Sequence, residues 1–190
     1  QSLLILMSGL SLLGCASDQS IEQKLELQPL SASVCCEAAT AYPWITLNQE
    51  QKLKFQINES SPVDVFPSGK SYFAPFVFDQ QSGVVDLLIR SNMEDGLVAI
   101  PVVELLNKDF QTVKTLTKAD FKIVFSDAFA RNRFELEIKV DSVETPYMVI
   151  YTDNSQLASK VVVPHPANFR AEESGEPMPT VTDSTYLASN

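Results

Sequence analysis

Phe134-Glu135-Leu136-Glu137-Ile138-Lys139-Val140-Asp141 alternates apolar and charged side chains without a break, and that alternation decides the fold. Successive side chains of a β-strand point to opposite faces, so a period of two places Phe134, Leu136, Ile138 and Val140 on one buried face. Glu135, Glu137 and Lys139 then belong to the other face. A one-residue slip would expose every apolar side chain, which specifies the register closely. Two further stretches share the pattern: Leu53, Phe55 and Ile57 between Lys54, Gln56 and Asn58, and Phe121, Ile123 and Phe125.

Around these lie runs that are apolar at nearly every position, at residues 72–78, 84–89, 97–106 and 147–151. The turn-formers Pro67-Ser68-Gly69, Ser82-Gly83 and Asp95-Gly96 separate the earlier ones. Short strands with turns at this spacing predict a mainly β protein, an antiparallel β-sandwich in a single domain. Proline cannot donate to a ladder, so Pro75 and Pro101 mark edge strands, bulges or breaks. Helix is expected only in the short stretches 126–131 and 154–160, and no internal repeat is visible.

The N-terminal end has a different character. Residues 3–13 form an uncharged run interrupted only by two serines and one glycine. This suits the apolar region of a signal peptide and falls short of the 18 or more residues of a spanning helix. The sequence opens on Gln1 and not Met, so this signal is expected to be incomplete at its N-terminus, with its basic leading region missing. Leu12-Leu13-Gly14-Cys15-Ala16-Ser17 follows directly and resembles a bacterial lipobox, with Leu three positions before the cysteine and a small residue just before it. The expectation is a lipoprotein cleaved before Cys15 and lipidated there, the membrane being its partner through acyl chains that each bury methylenes at about 0.8 kcal/mol apiece. Ala16, where an aspartate would favour retention in the inner membrane, points to the outer membrane, facing the periplasm of a Gram-negative bacterium.

The expected organisation is a signal peptide at 1–14, a lipidated tether at 15–43, the sandwich at 44–165, and an extended, disordered tail at 166–190. Residues 16–34 are mostly polar, and 19 flexible residues of that kind reach roughly 25 Å, enough to hold a domain off a bilayer. If Cys15 is acylated, the remaining cysteines are Cys35 and Cys36. Adjacent α-carbons sit about 3.8 Å apart, below the usual disulfide window, so a bond between them would be strained. A structural vicinal disulfide and a pair of thiols bonded elsewhere both stay open. A redox or metal role has no CxxC spacing and no nearby histidine to support it.

Composition narrows function further. With 14 basic against 24 acidic residues and no basic cluster, the electrostatic attraction that drives nucleic-acid binding is absent. His165 is the only histidine and sits between prolines in Pro164-His165-Pro166, an extended context. No HExxH, phosphate-binding glycine loop or GxSxG occurs, so neither catalytic residues nor a cofactor or metal is expected. Carbohydrate stacking needs exposed rings with polar tips. Of the aromatics 11 are Phe, against 5 Tyr and 1 Trp, which leaves Trp44, Tyr42, Tyr72 and Tyr151 as platform candidates beside their structural role.

Three stretches resemble one family: Ser68-Gly69-Lys70-Ser71-Tyr72-Phe73-Ala74-Pro75-Phe76, then Pro101-Val102-Val103-Glu104-Leu105-Leu106-Asn107-Lys108-Asp109-Phe110, and Tyr147-Met148-Val149-Ile150-Tyr151-Thr152 followed by Leu157 and Pro164-His165-Pro166-Ala167. These are similar to the MalM-type maltose operon periplasmic proteins over roughly residues 35–179. The resemblance implies a non-enzymatic periplasmic accessory of maltose and maltodextrin uptake, with maltodextrin or transport components as partners and no catalytic residues to carry over. The lipobox departs from the soluble mature form typical of that family. The alternative is a carbohydrate-binding or structural lipoprotein serving surface polysaccharide.

Overall fold

The structure, a computed structural model, describes residues 31–48, 52–79, 83–125, 131–175 and 183–189. The strands are β1 (Ile45–Leu47), β2 (Val63–Phe66), β3 (Gly69–Phe78), β4 (Val84–Glu94), β5 (Leu97–Ala99), β6 (Pro101–Leu106), β7 (Thr112–Leu116), β8 (Lys122–Val124), β9 (Arg133–Asp141), β10 (Tyr147–Thr152), β11 (Lys160–Val163) and β12 (Ser184–Ser189). Among the described residues one α-helix, α1 (Pro166–Ser174), precedes β12. The strands form two six-stranded sheets, one ordered β1-β3-β10-β6-β7 with β2 also on β3, the other β11-β12-β5-β4-β9-β8. Pairing is antiparallel except for β1 with β3 and β12 with β5. The protein is a single-domain, mainly β sandwich with mixed sheets.

The alternating strand behaves as its pattern dictates. Phe134, Leu136 and Val140 are buried in the core between the sheets, where they join Phe76, Phe78 and Ile89. The longest ladder pairs β4 with β9, from Val84 opposite Asp141 to Asn92 opposite Arg133. Glu137 and Lys139 face solvent, yet Glu135 on that same face is buried. Arg90 Nε and Arg133 Nε reach its Oε2 at 2.8 and 3.1 Å, and Lys122 Nζ reaches Oε1 at 3.2 Å. These charge-assisted contacts satisfy a carboxylate that burial would otherwise penalise.

The continuous apolar runs have a separate cause. β3, β6 and β10 are covered on both faces, one by the inter-sheet core and the other by a second cluster of Phe73, Val102, Leu106, Val149 and Tyr151. Strands buried twice need no alternation. The run at 97–106 is two strands, because the chain leaves one sheet after Ala99 and enters the other at Pro101, with Ile100 wholly buried between them. Pro75 lies inside β3 but faces a gap. The Phe73 N–H donates to Pro62 O, so the Pro75 nitrogen two residues on points to the same side, between the last β2 pair at Tyr72 and the first β1 pair at Phe76.

Three expectations need correction. Residues 52–57 pair with no strand among the described residues; Leu53 and Ile57 pack on the core and the Phe55 ring meets Phe76 edge-on at 4.9 Å, so the alternation there records burial without a ladder. The helix expected at 154–160 is a single 3-10 turn, Asn154–Gln156, running into β11; most of the one expected at 126–131 lies outside the described residues. The region 166–190, expected as a disordered tail, holds α1 and then β12 between β11 and β5. Pro166 opens α1 with its fixed φ, the His165 ring accepts from Ala167 N–H at 3.2 Å as N-cap, and Gly175 closes it at φ 70°.

Candidate functional site

The outer face of the first sheet carries a second aromatic layer, built by a segment expected to be tether. Cys35 N–H donates to Val63 O at 2.8 Å, a 3-10 turn spans Ala39–Ala41, and Tyr42 and Trp44 then lie down on the sheet. Trp44 Nε1 donates back to Ala39 O at 3.1 Å, which fixes the turn against its own ring. The upper end of the expected tether is therefore part of the domain. Cys15 lies outside the described residues. Cys35 and Cys36 form a vicinal disulfide just ahead of this turn.

The rings make one connected layer. Tyr42 meets Trp44 at 5.5 Å and Phe73 at 4.5 Å; Phe66 stacks on Tyr151 at 3.9 Å; Trp44 contacts Tyr147 at 4.7 Å. Phe110 completes it, stacking on Tyr147 at 4.5 Å and Trp44 at 5.9 Å. Phe110 has φ 60°, in the left-handed region where hairpin loops ordinarily place glycine. That conformation costs a bulky residue about 1–2 kcal/mol, and two aromatic contacts worth about 0.5–1.5 kcal/mol each offset it.

Two carboxylates anchor the layer. Tyr42 OH donates to Asp64 Oδ2. Tyr151 OH donates to Glu104 Oε1 at 2.9 Å, and Glu104 Oε2 accepts from Thr112 Oγ1 at 3.1 Å. Burial first, then the facing carboxylate, pushes both phenols well above their ordinary pKa. Both phenols therefore stay protonated and donate to these carboxylates. Of the four platform candidates, the structure brings Tyr42, Trp44 and Tyr151 together, with the two phenols committed to carboxylates. Tyr72, opposite Val63, belongs to neither apolar cluster. Sequence reasoning missed Phe66, Phe110 and Tyr147 in this layer; the apolar runs on both sides of β6 and β10 were the available signal.

His165 serves as the cap of α1, and its N–H donates to Asp183 Oδ1 at 2.8 Å, which also accepts from Asn168 Nδ2 at 2.6 Å. The backbone N–H of His165, then the Asn168 amide, lowers the Asp183 carboxyl. This pins the start of the helix to the approach to β12. No group of three or more His, Cys, Asp and Glu side chains converges among the described residues.

Fold and layer together define a β-sandwich protein with a second, aromatic cover on the outer face of one sheet. A family model described as maltose operon periplasmic protein precursor (MalM) matches residues 68–189, from the residue before β3 to the end of β12. The chain belongs to this family of periplasmic maltose operon proteins. Neither the curated proteins nor the solved structures include a match to it.

Proposed function

We propose that this protein is a non-enzymatic accessory of maltose and maltodextrin transport, held at the outer membrane by lipid on Cys15 and working from the periplasm. The observation that carries the reading is the family match, which spans β3 to β12. The aromatic layer supports a scaffold role, since the Tyr42–Asp64 bond and the Cys35 backbone bond hold the segment 35–44 on the sheet. An acidic protein, net charge −10, has little attraction for anionic headgroups, so the acyl chains supply the membrane contact. Partners would be maltodextrin itself or the components that move it. Expression tests the assignment: the protein should rise severalfold when maltodextrin replaces glycerol as carbon source. Constant expression, with induction by a different glycan instead, would favour a lipoprotein serving surface polysaccharide.

A further inference from the structure

We infer that Cys35 and Cys36 form a redox-sensitive latch: a dithiol reductant opens their disulfide in the folded protein, and residues 31–44 then loosen from the aromatic layer. The inference rests neither on the maltodextrin reading nor on lipid at Cys15, and the pair lies ahead of the family match at 68–189.

Adjacency and exposure make the bond easy to open. The two α-carbons are 3.8 Å apart, as chain neighbours must be, whereas disulfides ordinarily span about 4.4–6.8 Å. Bonds formed outside that window are reduced more readily than structural ones. Cys35 is exposed and Cys36 half-buried, so attack comes at Cys35. The pair lacks the CxxC spacing of a disulfide oxidoreductase, which makes it the substrate of exchange and not its catalyst. A thiolate of the reductant attacks Cys35 Sγ; the bond to Cys36 breaks, and its electron pair leaves on Cys36 Sγ, which takes up a proton. The reductant's second thiol then attacks the mixed disulfide, releases Cys35 as a thiol, and becomes part of a disulfide itself. Two electrons and two protons thus pass from the dithiol to the pair.

The segment that follows the pair is lightly held. None of the residues 31–44 is fully buried, which puts the stretch at the low-stability end of the fold. Its ties to the sheet include Cys35 N–H to Val63 O at 2.8 Å, Lys70 Nζ to Ala32 O, and Tyr42 OH to Asp64 Oδ2. The disulfide closes a small ring through the peptide bond between the cysteines, restricting their backbone where the first of these ties is made. From there the chain runs into the Ala39–Ala41 turn, whose Ala39 O accepts from Trp44 Nε1. Opening the ring returns conformational freedom to both residues, which favours release. Beneath the segment lies Phe73, wholly buried, with the Tyr42 ring at 4.5 Å, so release uncovers aromatic surface.

Trp44 is the only tryptophan and lies in this segment, so its emission reports the latch directly. The test treats the detergent-solubilised full chain with dithiothreitol in the absence of denaturant. Alkylation and peptide mass spectrometry then map the thiols, while Trp44 emission and acrylamide quenching follow the segment. Both cysteines should become alkylated, the emission should shift to the red, and quenching should rise severalfold, with far-ultraviolet circular dichroism unchanged. Reoxidation of an unalkylated sample should restore the starting spectrum. Cys35→Ser combined with Cys36→Ser should show the reduced emission with or without dithiothreitol. A bond that opens only in urea, Trp44 emission and quenching that ignore reduction, loss of the sheet signal on reduction, or a double variant with the oxidised emission would each overturn the latch.

Discussion

Three neighbouring substitutions in β9 should differ severalfold in cost although they span only three residues. Leu136 is 3% exposed, lies opposite Ile89, and sits between two paired strands that cannot close a void by moving independently. Leu136→Ala should therefore cost about 3 kcal/mol, within the usual range for a buried leucine. Glu137, with 73% of its side chain exposed and only Lys122 at 3.9 Å, should lose no more than about 0.5 kcal/mol as Glu137→Ala. Glu135→Gln should fall between, at about 1–2 kcal/mol, because Arg90 and Lys122 are exposed enough to rehydrate while Arg133 is not. Arg90 first, then Lys122 and Arg133 against the opposing effect of burial, lowers the Glu135 carboxyl from 4.5 to about 2. A folded-state pKa below the unfolded one stabilises above the unfolded value and loses that contribution as pH falls. The gap between wild type and Glu135→Gln should thus be full at pH 6 and shrink between about pH 4.5 and pH 2. Urea melts read all three: with a slope of about 2 kcal/mol per molar, Leu136→Ala moves the midpoint by about 1.5 M. Equal effects at 136 and 137 would refute the half-buried strand, and a gap at 135 that does not change with pH would refute the ion cluster.

Other substitutions probe the remaining claims. Phe110→Gly should be more stable than Phe110→Ala by about 1 kcal/mol, since both lose the ring but only glycine accepts φ 60° without strain; thermal melts showing the alanine variant ahead would contradict that backbone. Removing residues 183–190 deletes the strand between β11 and β5 and uncovers two inner edges, so the melting temperature should fall by more than about 10 °C, whereas a dispensable tail would leave it unchanged. Cys15→Ser should move the protein from the membrane pellet to the soluble fraction, and a variant that still pellets with outer membrane in high salt would rule out the lipid as its anchor.

Period-two alternation located the core strand β9 because its outward face meets water, and continuous runs located β3, β6 and β10 because neither of their faces does. What alternation cannot report is a partner distant in sequence. Glu135 reads as a surface residue until Arg90 and Lys122 arrive from β4 and β8. Residues 52–57 carry the pattern of a strand, yet burial on the core satisfies that pattern without a ladder. β12 was invisible for a third reason: its inward positions include the small Ala188, and Ser184, Thr185 and Ser189 make it as polar as a linker. The helix before it left a signal in Pro166 and Gly175, but the extended reading of Pro164-His165-Pro166 masked it. Losing β12 also hid Tyr186, which packs partly on the core.

Uptake of radiolabelled maltoheptaose at limiting concentration tests the functional account most directly. Cells lacking this protein should take the sugar up severalfold more slowly than the parent, recover with the intact gene, and fail to recover with the Cys15→Ser variant, while glycerol uptake is the same in all strains. Equal maltoheptaose uptake with and without the protein would contradict a role in maltodextrin transport.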